Sequence, residues 1–435
     1  MQILPNRRSV HLAASILLVA LGTAGAPAQL LGPEFQVNSY TFGTQAHPTV
    51  ALASSAAFVV AWDSYGADGS AQAICAQRFD ASGAPLGTEM VANTYVTSGQ
   101  QHPALGADRW GNFVIVWDSY LQDGSSFGIF AQRFAAGGVG VGTEMAINTT
   151  TNDDQAYPAV GVDGGSNFVA AWESTGQDGS GAGVYVRLFE PSGVPRTGEL
   201  QVNTYTAGHQ WSPAVAVHRG GAFVVVWHDD SQDGSSQGVY AQRYDATGNR
   251  LGGEFRVNTE VTNQQWWPAI AIDADANFVV AWDSQAQDGS GYGIYAQRFD
   301  ATGTPVGTEF RANTTTANDQ RIPAVAMDHW GNFVVAWTST GQDGSSSGVY
   351  AQRFDNTGAR VGGELQINAT TAGTQQSPDL ATDGWGNYVI AWESENQDGN
   401  GYGIYARRLL ATPLADGFER GDLWRWSAVL EVGDT

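Results

Sequence analysis

The chain has 435 residues and a formal net charge of −23, from 43 acidic and 20 basic side chains. A protein this acidic repels nucleic acid and anionic lipid, so we exclude both as partners. Charged residues make up only 14% of the chain and glycine contributes 55 residues, a composition that excludes disorder and suits a turn-rich β protein.

Residues 1–28 are predicted to be a secretory signal peptide. Arg7 and Arg8 form its charged start, an apolar stretch follows from Val10 to Leu21, and the small residues 26–28 mark a cleavage site. The arginine pair also fits twin-arginine export. No second long apolar run follows, so we expect no membrane insertion and a mature protein that is extracellular, periplasmic or at the cell surface.

Residues 29–410 repeat every 55 residues without an insertion or deletion. The clearest markers are seven tryptophans, Trp62, Trp117, Trp172, Trp227, Trp282, Trp337 and Trp392. Each repeat has four runs of β-forming residues separated by Asp, Gly and Asn turns, for example 268–272, 277–282, 293–299 and 308–313. A long fixed period with four short strands per unit predicts one propeller blade per repeat.

The second strand of each blade is apolar on both faces, which predicts that its tryptophan is buried between stacked blades. Cys75, the one cysteine, occupies an apolar strand position and is predicted to be a buried hydrophobe. The recurring Arg and Glu on the third and fourth strands predict cross-strand ion pairs such as Arg78–Glu89 and Arg298–Glu309.

The two ends of the repeat region complement each other. Residues 34–38 match the fourth strand at 364–368, and the last repeat stops after Arg408 before any fourth strand. We therefore predict an all-β, seven-bladed propeller whose N-terminal strand completes the last blade and removes an exposed sheet edge. The protein is expected to be a monomer, and residues 411–435 form a C-terminal tail with a sorting or surface role or a packing role of its own.

One face of the propeller is predicted to hold the functional residues. The loops between blades and those between the second and third strands emerge on the same face, where a repeated Gln (Gln45 to Gln375) is expected to brace the loops between blades. The two residues after that Gln vary between repeats and include the candidate ligand-binding residues Tyr157, Trp211, Trp266, Trp267 and Arg321. Aromatic rings beside amides and carboxylates suit sugar or peptide recognition. Packing between neighbouring loops is the alternative.

An Asp-Gly pair also recurs on this face. Its acids are weak metal candidates: Asp68, Asp123, Asp178, Asp233, Asp288, Asp343 and Asp398. Each loop offers one fixed Asp and a less regular acid five residues earlier, whereas calcium needs six or more oxygens. The alternative is a structural turn, in which Asp binds nearby amides and Gly supplies a positive φ. We expect no required cofactor, with calcium as an optional ligand.

The motif Gly-x-Ser-x-Gly occurs three times, as at 124–128, but it falls in a hairpin loop with no helix after it and no recurring His nearby. We therefore interpret the sequence as that of a protein that is not an enzyme.

The repeated core, Trp282-Asp-Ser-x-x-Gln-Asp-Gly-Ser290 followed by Gly293-Ile-Tyr-Ala-Gln-Arg-Phe-Asp300, resembles repeats of large secreted bacterial proteins. Some of those carry adhesin modules or haemolysin-type calcium-binding repeats. The resemblance spans residues 34–408 and implies an extracellular binding or surface role. The Gly-Gly-x-Gly-x-Asp nonapeptides of the calcium repeats do not occur in this chain. We predict a secreted, non-enzymatic binding protein for carbohydrate, protein or a cell-surface polymer. A structural or adhesive spacer, stiffened by calcium, is the alternative.

Overall fold

The computed structural model describes residues 29–410 except Ser235, and these residues form strands and turns without a helix. None of the described residues therefore belongs to a helix long and apolar enough to cross a membrane. The strands make seven antiparallel four-stranded sheets, each of them one blade. Successive innermost strands contact one another, and the last contacts the first, so the blades close into a ring. The predicted seven-bladed propeller is confirmed.

Each blade has four strands, which follow one another from the inside of the ring outwards. The innermost strands are β2 (Gln45–Leu52), β6 (Gln100–Ala107), β10 (Gln155–Val162), β14 (Gln210–Val217), β18 (Gln265–Ile272), β22 (Gln320–Met327) and β26 (Gln375–Thr382). The second strands are β3 (Phe58–Tyr65), β7 (Phe113–Tyr120), β11 (Phe168–Thr175), β15 (Phe223–Asp229), β19 (Phe278–Gln285), β23 (Phe333–Thr340) and β27 (Asn387–Glu395). The third strands are β4 (Gln72–Phe79), β8 (Phe127–Phe134), β12 (Ala182–Phe189), β16 (Gly238–Tyr244), β20 (Tyr292–Phe299), β24 (Ser347–Phe354) and β28 (Tyr402–Leu410). The outermost strands are β5 (Met90–Val91), β9 (Gly140–Ala146), β13 (Leu200–Gln201), β17 (Phe255–Arg256), β21 (Pro305–Arg311), β25 (Arg360–Gln366) and, for the seventh blade, β1 (Gln29–Gln36).

The core lies between adjacent blades. All seven repeated tryptophans are fully buried. Trp62 of the first blade, for example, packs with Val389 and Ile404 of the seventh. Cys75 is also fully buried, in the same cluster. Both faces of each second strand are covered, which is why these strands are apolar throughout.

The ring closes as predicted. Strand β1 pairs with β28, placing Phe35 opposite Ala406 and Gln36 opposite Tyr405. The pairing continues beyond the strand, because the Val37 amide donates to the Ile404 carbonyl at 2.8 Å. The N-terminal strand thus covers the edge that the last repeat leaves open.

The repeated Gln braces the loops between blades, as predicted. Each such Gln is fully buried. The side-chain amide nitrogen of Asn38 donates to Gln45 Oε1 at 3.2 Å and to Asp398 Oδ2 at 3.2 Å. The Asn38 Oδ1 atom accepts the backbone amide of Ile404 at 2.8 Å. One network therefore joins the outermost strand of a blade, its Asp-Gly loop and the start of the next blade.

The predicted cross-strand ion pairs are wrong. No ion pair within residues 29–410 joins Arg78 to Glu89 or Arg298 to Glu309. The turn centres earlier than expected, since Phe79 pairs with Pro85, and a bulge then shifts the register before Met90. Arg78 instead donates to the Gly137 carbonyl of the next blade, and Glu89 accepts the amides of residues 39 and 40 in the loop before its own blade.

The predicted signal peptide (1–28) and tail (411–435) lie outside the described residues.

Candidate functional site: the mouth of the central channel

The innermost strands surround a central cavity of about 480 Å³. A complete ring of prolines, from Pro48 to Pro378, lines it, and the next layer is alanine in five repeats, with Thr49 and Asp379 in the other two. One layer differs from repeat to repeat, and we call it the mouth ring: His47, His102, Tyr157, Ser212, Trp267, Ile322 and Ser377. It lies on the face that carries the Asp-Gly loops.

A bulge places each mouth-ring residue at the channel. The register of β2 against β3 shifts between Ala46 and Thr49, and the same shift recurs in the other six blades. All seven mouth-ring residues have positive φ, from 48° at His102 to 54° at Ile322. Residues other than Gly rarely adopt this backbone conformation, which costs roughly 1–3 kcal/mol per residue. The surrounding structure must therefore stabilise each bulge.

Buried carboxylates supply that stabilisation. The Tyr157 amide donates to Asp118 Oδ2 of the preceding blade at 3.2 Å, and the Ser212 amide donates to Glu173 at 3.0 Å. The same bond crosses the ring closure, from the His47 amide to Glu393 at 2.8 Å. The less regular acids before the Asp-Gly pairs therefore hold the bulges of the next blade.

Histidines and a tyrosine form one half of the mouth ring. His47 Nδ1 lies 3.0 Å from Asp63, and His102 Nδ1 lies 2.8 Å from Asp118. The rings of His47 and His102 are 4.6 Å apart, and His102 lies 4.4 Å from Tyr157. The three rings thus form a continuous row over three blades.

Electrostatics in this half favour positive charge at His47. Burial opposes that charge, but the hydrogen bond and attraction of Asp63 outweigh it and raise the pKa of His47 to about 9. Burial raises the pKa of Asp118 against the opposing effect of His102. Burial also raises the pKa of Glu393. His47 is therefore a cation at neutral pH, next to carboxylates that lack full hydration.

Tryptophans and an arginine flank the other half of the mouth ring. Arg321 Nε lies 3.0 Å from Asp283, and its guanidinium stacks 4.0 Å from the Tyr292 ring and 5.3 Å from Trp266. Asp283 is fully buried, and this burial raises its pKa to about 6 although Arg321 opposes the shift. Trp266 Nε1, Arg321 Nη2 and Asp283 Oδ1 are buried atoms that lack hydrogen-bond partners among the described residues.

Trp211 extends this half through His228, which replaces the acid in the fourth blade. The Trp211 ring lies 4.6 Å from His209 and 5.6 Å from His228, and His228 in turn lies 6.3 Å from Trp266. Burial lowers the pKa of His228 to about 3, so it is neutral in the folded protein.

The predicted ligand-binding residues separate into two groups. Trp211, Trp266, Trp267 and Arg321 lie together on the fourth to sixth blades, whereas Tyr157 packs with His102. All of them are on the predicted face. Trp267 is 38% exposed and Tyr157 42% exposed, while Trp211 and Trp266 are partly buried. Trp211 and Trp266 therefore pack within the loops, whereas Trp267 and Tyr157 are exposed enough to contact a ligand, and the binding role of all these residues stays a prediction.

The Asp-Gly acids act as turn residues. Six of them accept the backbone amide two residues ahead at 2.9–3.2 Å: Asp68, Asp123, Asp178, Asp288, Asp343 and Asp398. The seventh, Asp233, precedes the undescribed Ser235. Within the described ranges no group of three or more His, Cys, Asp or Glu is placed to hold a metal ion. Calcium binding stays a prediction, and one carboxylate oxygen of each of these six acids already accepts the turn hydrogen bond.

The same acids explain the final glycine of the Gly-x-Ser-x-Gly motif. A Cβ at Gly128 would lie 2.5 Å from Asp123 Oδ2, and one at Gly348 would lie 2.7 Å from Asp343 Oδ2. The glycines therefore make room for the carboxylate of the turn, which is a structural requirement of the hairpin.

Sequence reasoning missed two groups of residues. His47 and His102 stand directly before a proline, as Tyr157 and Trp267 do. They were not predicted as site residues because the prediction selected the large aromatic residues at these positions. On the opposite face Trp110 and Trp385 are 54% and 49% exposed. A Trp-Gly-Asn sequence in three of the seven hairpins between the first and second strands marks that second group.

The fold defines the protein as a seven-bladed β-propeller. No protein-family model matches the chain, and no curated protein matches it. Among solved structures it is similar to a protein of unknown function from Dyadobacter fermentans, with 10% identity over 88% of this chain and 99% of that one, and a TM-score of 0.54. It is also similar to the Penicillium chrysogenum α-L-arabinanase, with 14% identity, coverage of 72% and 93%, and a TM-score of 0.49. The NanB sialidase from Streptococcus pneumoniae matches with 8% identity, coverage of 88% and 70%, and a TM-score of 0.48.

These comparisons correct the prediction that the chain is not an enzyme. That prediction rested on the Gly-x-Ser-x-Gly motif, which falls in a hairpin loop with no helix after it and no recurring His nearby, whereas propellers named as an arabinanase and a sialidase are among the structures that match this chain.

Proposed function

We propose that the protein recognises carbohydrate, as a saccharide or a cell-surface polymer, at the mouth of its central channel. The observation that carries this proposal is the divergence of the mouth ring. The proline layer is the same in all seven repeats, yet the ring above it presents His, His, Tyr, Ser, Trp, Ile and Ser. A ring that served the fold alone would have no need to differ between blades.

The chemistry of the ring suits a sugar. Trp267 and Tyr157 offer partly exposed aromatic faces, which bind the apolar side of a pyranose or furanose ring. Arg321, whose side chain is 30% exposed beside Trp266, adds a guanidinium donor for hydroxyl groups. Partly exposed aromatics with a few fixed polar groups are the usual composition of a small-ligand site.

The proposal rests on these residues, because a structural likeness at 8–14% identity concerns the fold alone. The resemblance of the repeats to secreted bacterial proteins supports a location outside the cytoplasm, which we include in the proposal. Whether the bound sugar is also cleaved is decided by the same experiment.

The test is a glycan array screened with the purified protein, followed by calorimetry and by chromatography of the recovered oligosaccharide. We expect a hit whose affinity falls at least about tenfold in Trp267→Ala and in Tyr157→Ala. Trp110→Ala removes a more exposed tryptophan on the opposite face and should leave the affinity unchanged. Binding to no glycan, or loss only in the Trp110 variant, overturns the proposal and favours the rigid spacer.

A further inference from the structure

We propose that His47 and His102 bind one divalent transition-metal ion of the zinc type through their Nε2 atoms, at the channel mouth. This inference is independent of carbohydrate recognition. It rests on the orientation of the two imidazoles, on the carboxylates behind them and on the charge around them.

Each histidine is held in the way that metal ligands are held. The Nδ1 atoms contact Asp63 and Asp118 at 3.0 and 2.8 Å, and these acids are 5% and 1% exposed. Metal-binding histidines almost always donate the second ring nitrogen to such a carboxylate or a carbonyl, which fixes the tautomer and raises the basicity of the ligating nitrogen. With Nδ1 engaged, Nε2 is the ligating atom in both rings.

Neither Nε2 atom is hydrogen-bonded among the described residues, and the side chains are 47% and 22% exposed. The rings lie 4.6 Å apart on neighbouring blades, and both line the cavity. The Glu393 carboxylate also holds the His47 amide at 2.8 Å, so the first histidine is fixed by backbone and side chain together.

The local charge favours a cation. Asp63, Glu393 and Asp118 all attract positive charge at His47. The hydrogen bonds between these acids and the two histidines involve no arginine. In the other half of the mouth Arg321 neutralises Asp283. A divalent ion would play the corresponding part beside the histidines.

The ligand set points to zinc, nickel, cobalt or copper, because neutral imidazole suits these ions and calcium requires oxygen. Two histidines are fewer than the four ligands of a structural zinc site. No third His, Cys, Asp or Glu forms a metal-binding group with them in the described part of the chain. Water would complete the coordination, so the site is open and of moderate affinity.

The experiment is calorimetry of the tag-free, chelator-treated protein with Zn²⁺ alone. We expect one ion per chain, and a loss of at least about tenfold in His47→Gln and in His102→Gln. Asp118→Asn should weaken binding about 10- to 100-fold by removing the carboxylate behind His102. His218→Gln is the matched control, because both its nitrogens already contact backbone groups and its loss should change nothing.

Circular dichroism verifies that each variant is folded. If a variant does not fold, the test is instead the absorption spectrum of Co²⁺ added to the unmodified protein, since nitrogen ligation shifts the visible bands. Substoichiometric binding, unchanged affinity in both histidine variants, or a Co²⁺ spectrum identical to that of the hydrated ion overturns the proposal.

Discussion

The amide of His47 in the first blade donates a 2.8 Å hydrogen bond to Glu393 in the seventh. The amide of Tyr157 makes the corresponding bond to Asp118 within the ring, at 3.2 Å. The junction between the chain ends thus uses the same contact as the other interfaces. Closure of the propeller is consequently a continuation of the repeat, strengthened on the outside by β1.

Glu34 should be a main contributor to this closure. Its carboxylate accepts the amides of Ala369 and Thr370, the Thr370 hydroxyl and the Gln397 side chain. Glu34→Ala leaves these donors unpaired and should lower the free energy of unfolding by about 1–3 kcal/mol. Urea denaturation measures the change, with Glu190→Ala, an exposed glutamate, as control. Equal stability of the two variants would contradict the role of Glu34.

The sequence predicted this architecture because its period is unbroken. Trp62 and Trp392 have the same phase, so both must occupy the same core position, and residues 34–38 could only fill the missing strand. The register of Arg78 and Glu89 could not be predicted in the same way. It depends on a bulge beside Gly87, whose φ of 81° is a property of the folded hairpin.

The mouth of the channel was less predictable for a related reason. His47 precedes a proline and has a positive φ, and this conformation is stabilised by Glu393, which is remote in sequence. Proline disfavours the helical region in the residue before it, so local rules favour an extended conformation there. The aromatic positions were visible as departures from the repeat, whereas the Asp63–His47 contact needed the three-dimensional structure.

Glu173 should make stability fall as pH rises. Burial raises its pKa from 4.5 to about 7, so between those values the folded state holds a proton that the unfolded state has lost. Stability therefore decreases with pH over this range, by up to about 1.4 kcal/mol per unit. Glu173→Gln retains an acceptor for the Ser212 amide and should be more stable than the parent by about 1–3 kcal/mol at pH 8, and equal near pH 4.5.

Thermal unfolding at both pH values checks this prediction, and Glu190→Gln controls for the loss of a surface charge. A variant that is less stable at pH 8 would show that the ionised carboxylate is needed.

The Arg321–Asp283 pair should be sensitive to the loss of one partner. Arg321→Ala leaves the fully buried Asp283 without its counter-charge and should cost about 3–5 kcal/mol at pH 8. The next interface has uncharged residues at the equivalent positions: the Ser377 amide donates to Thr338 at 3.1 Å, and Gln376 occupies the position of Arg321. The double variant Asp283→Thr/Arg321→Gln introduces the same uncharged pair and should recover most of the loss.

Denaturant titration of the single and double variants measures the coupling. If the double variant is no more stable than Arg321→Ala, the unpaired carboxylate is not the source of the cost.

The imidazole of His47 should titrate near pH 9. Burial opposes its charge, and the hydrogen bond and attraction of Asp63 produce the net rise from 6.5. Because the folded pKa is the higher one, the stability from this contact is complete below pH 6.5 and is lost as the pH rises through 9. Asp63→Asn removes the charge but keeps an acceptor, so the pKa of His47 should fall by more than about one unit.

NMR of the protein labelled at the histidine Cε1 position, recorded with a chelator to exclude metals, follows this titration directly. Asp123→Asn, which removes a turn carboxylate in an Asp-Gly loop, is the control and should leave the His47 curve unchanged. A midpoint near 6.5 in the parent protein, or the same midpoint with and without Asp63, would mean that Asp63 does not set the charge of His47.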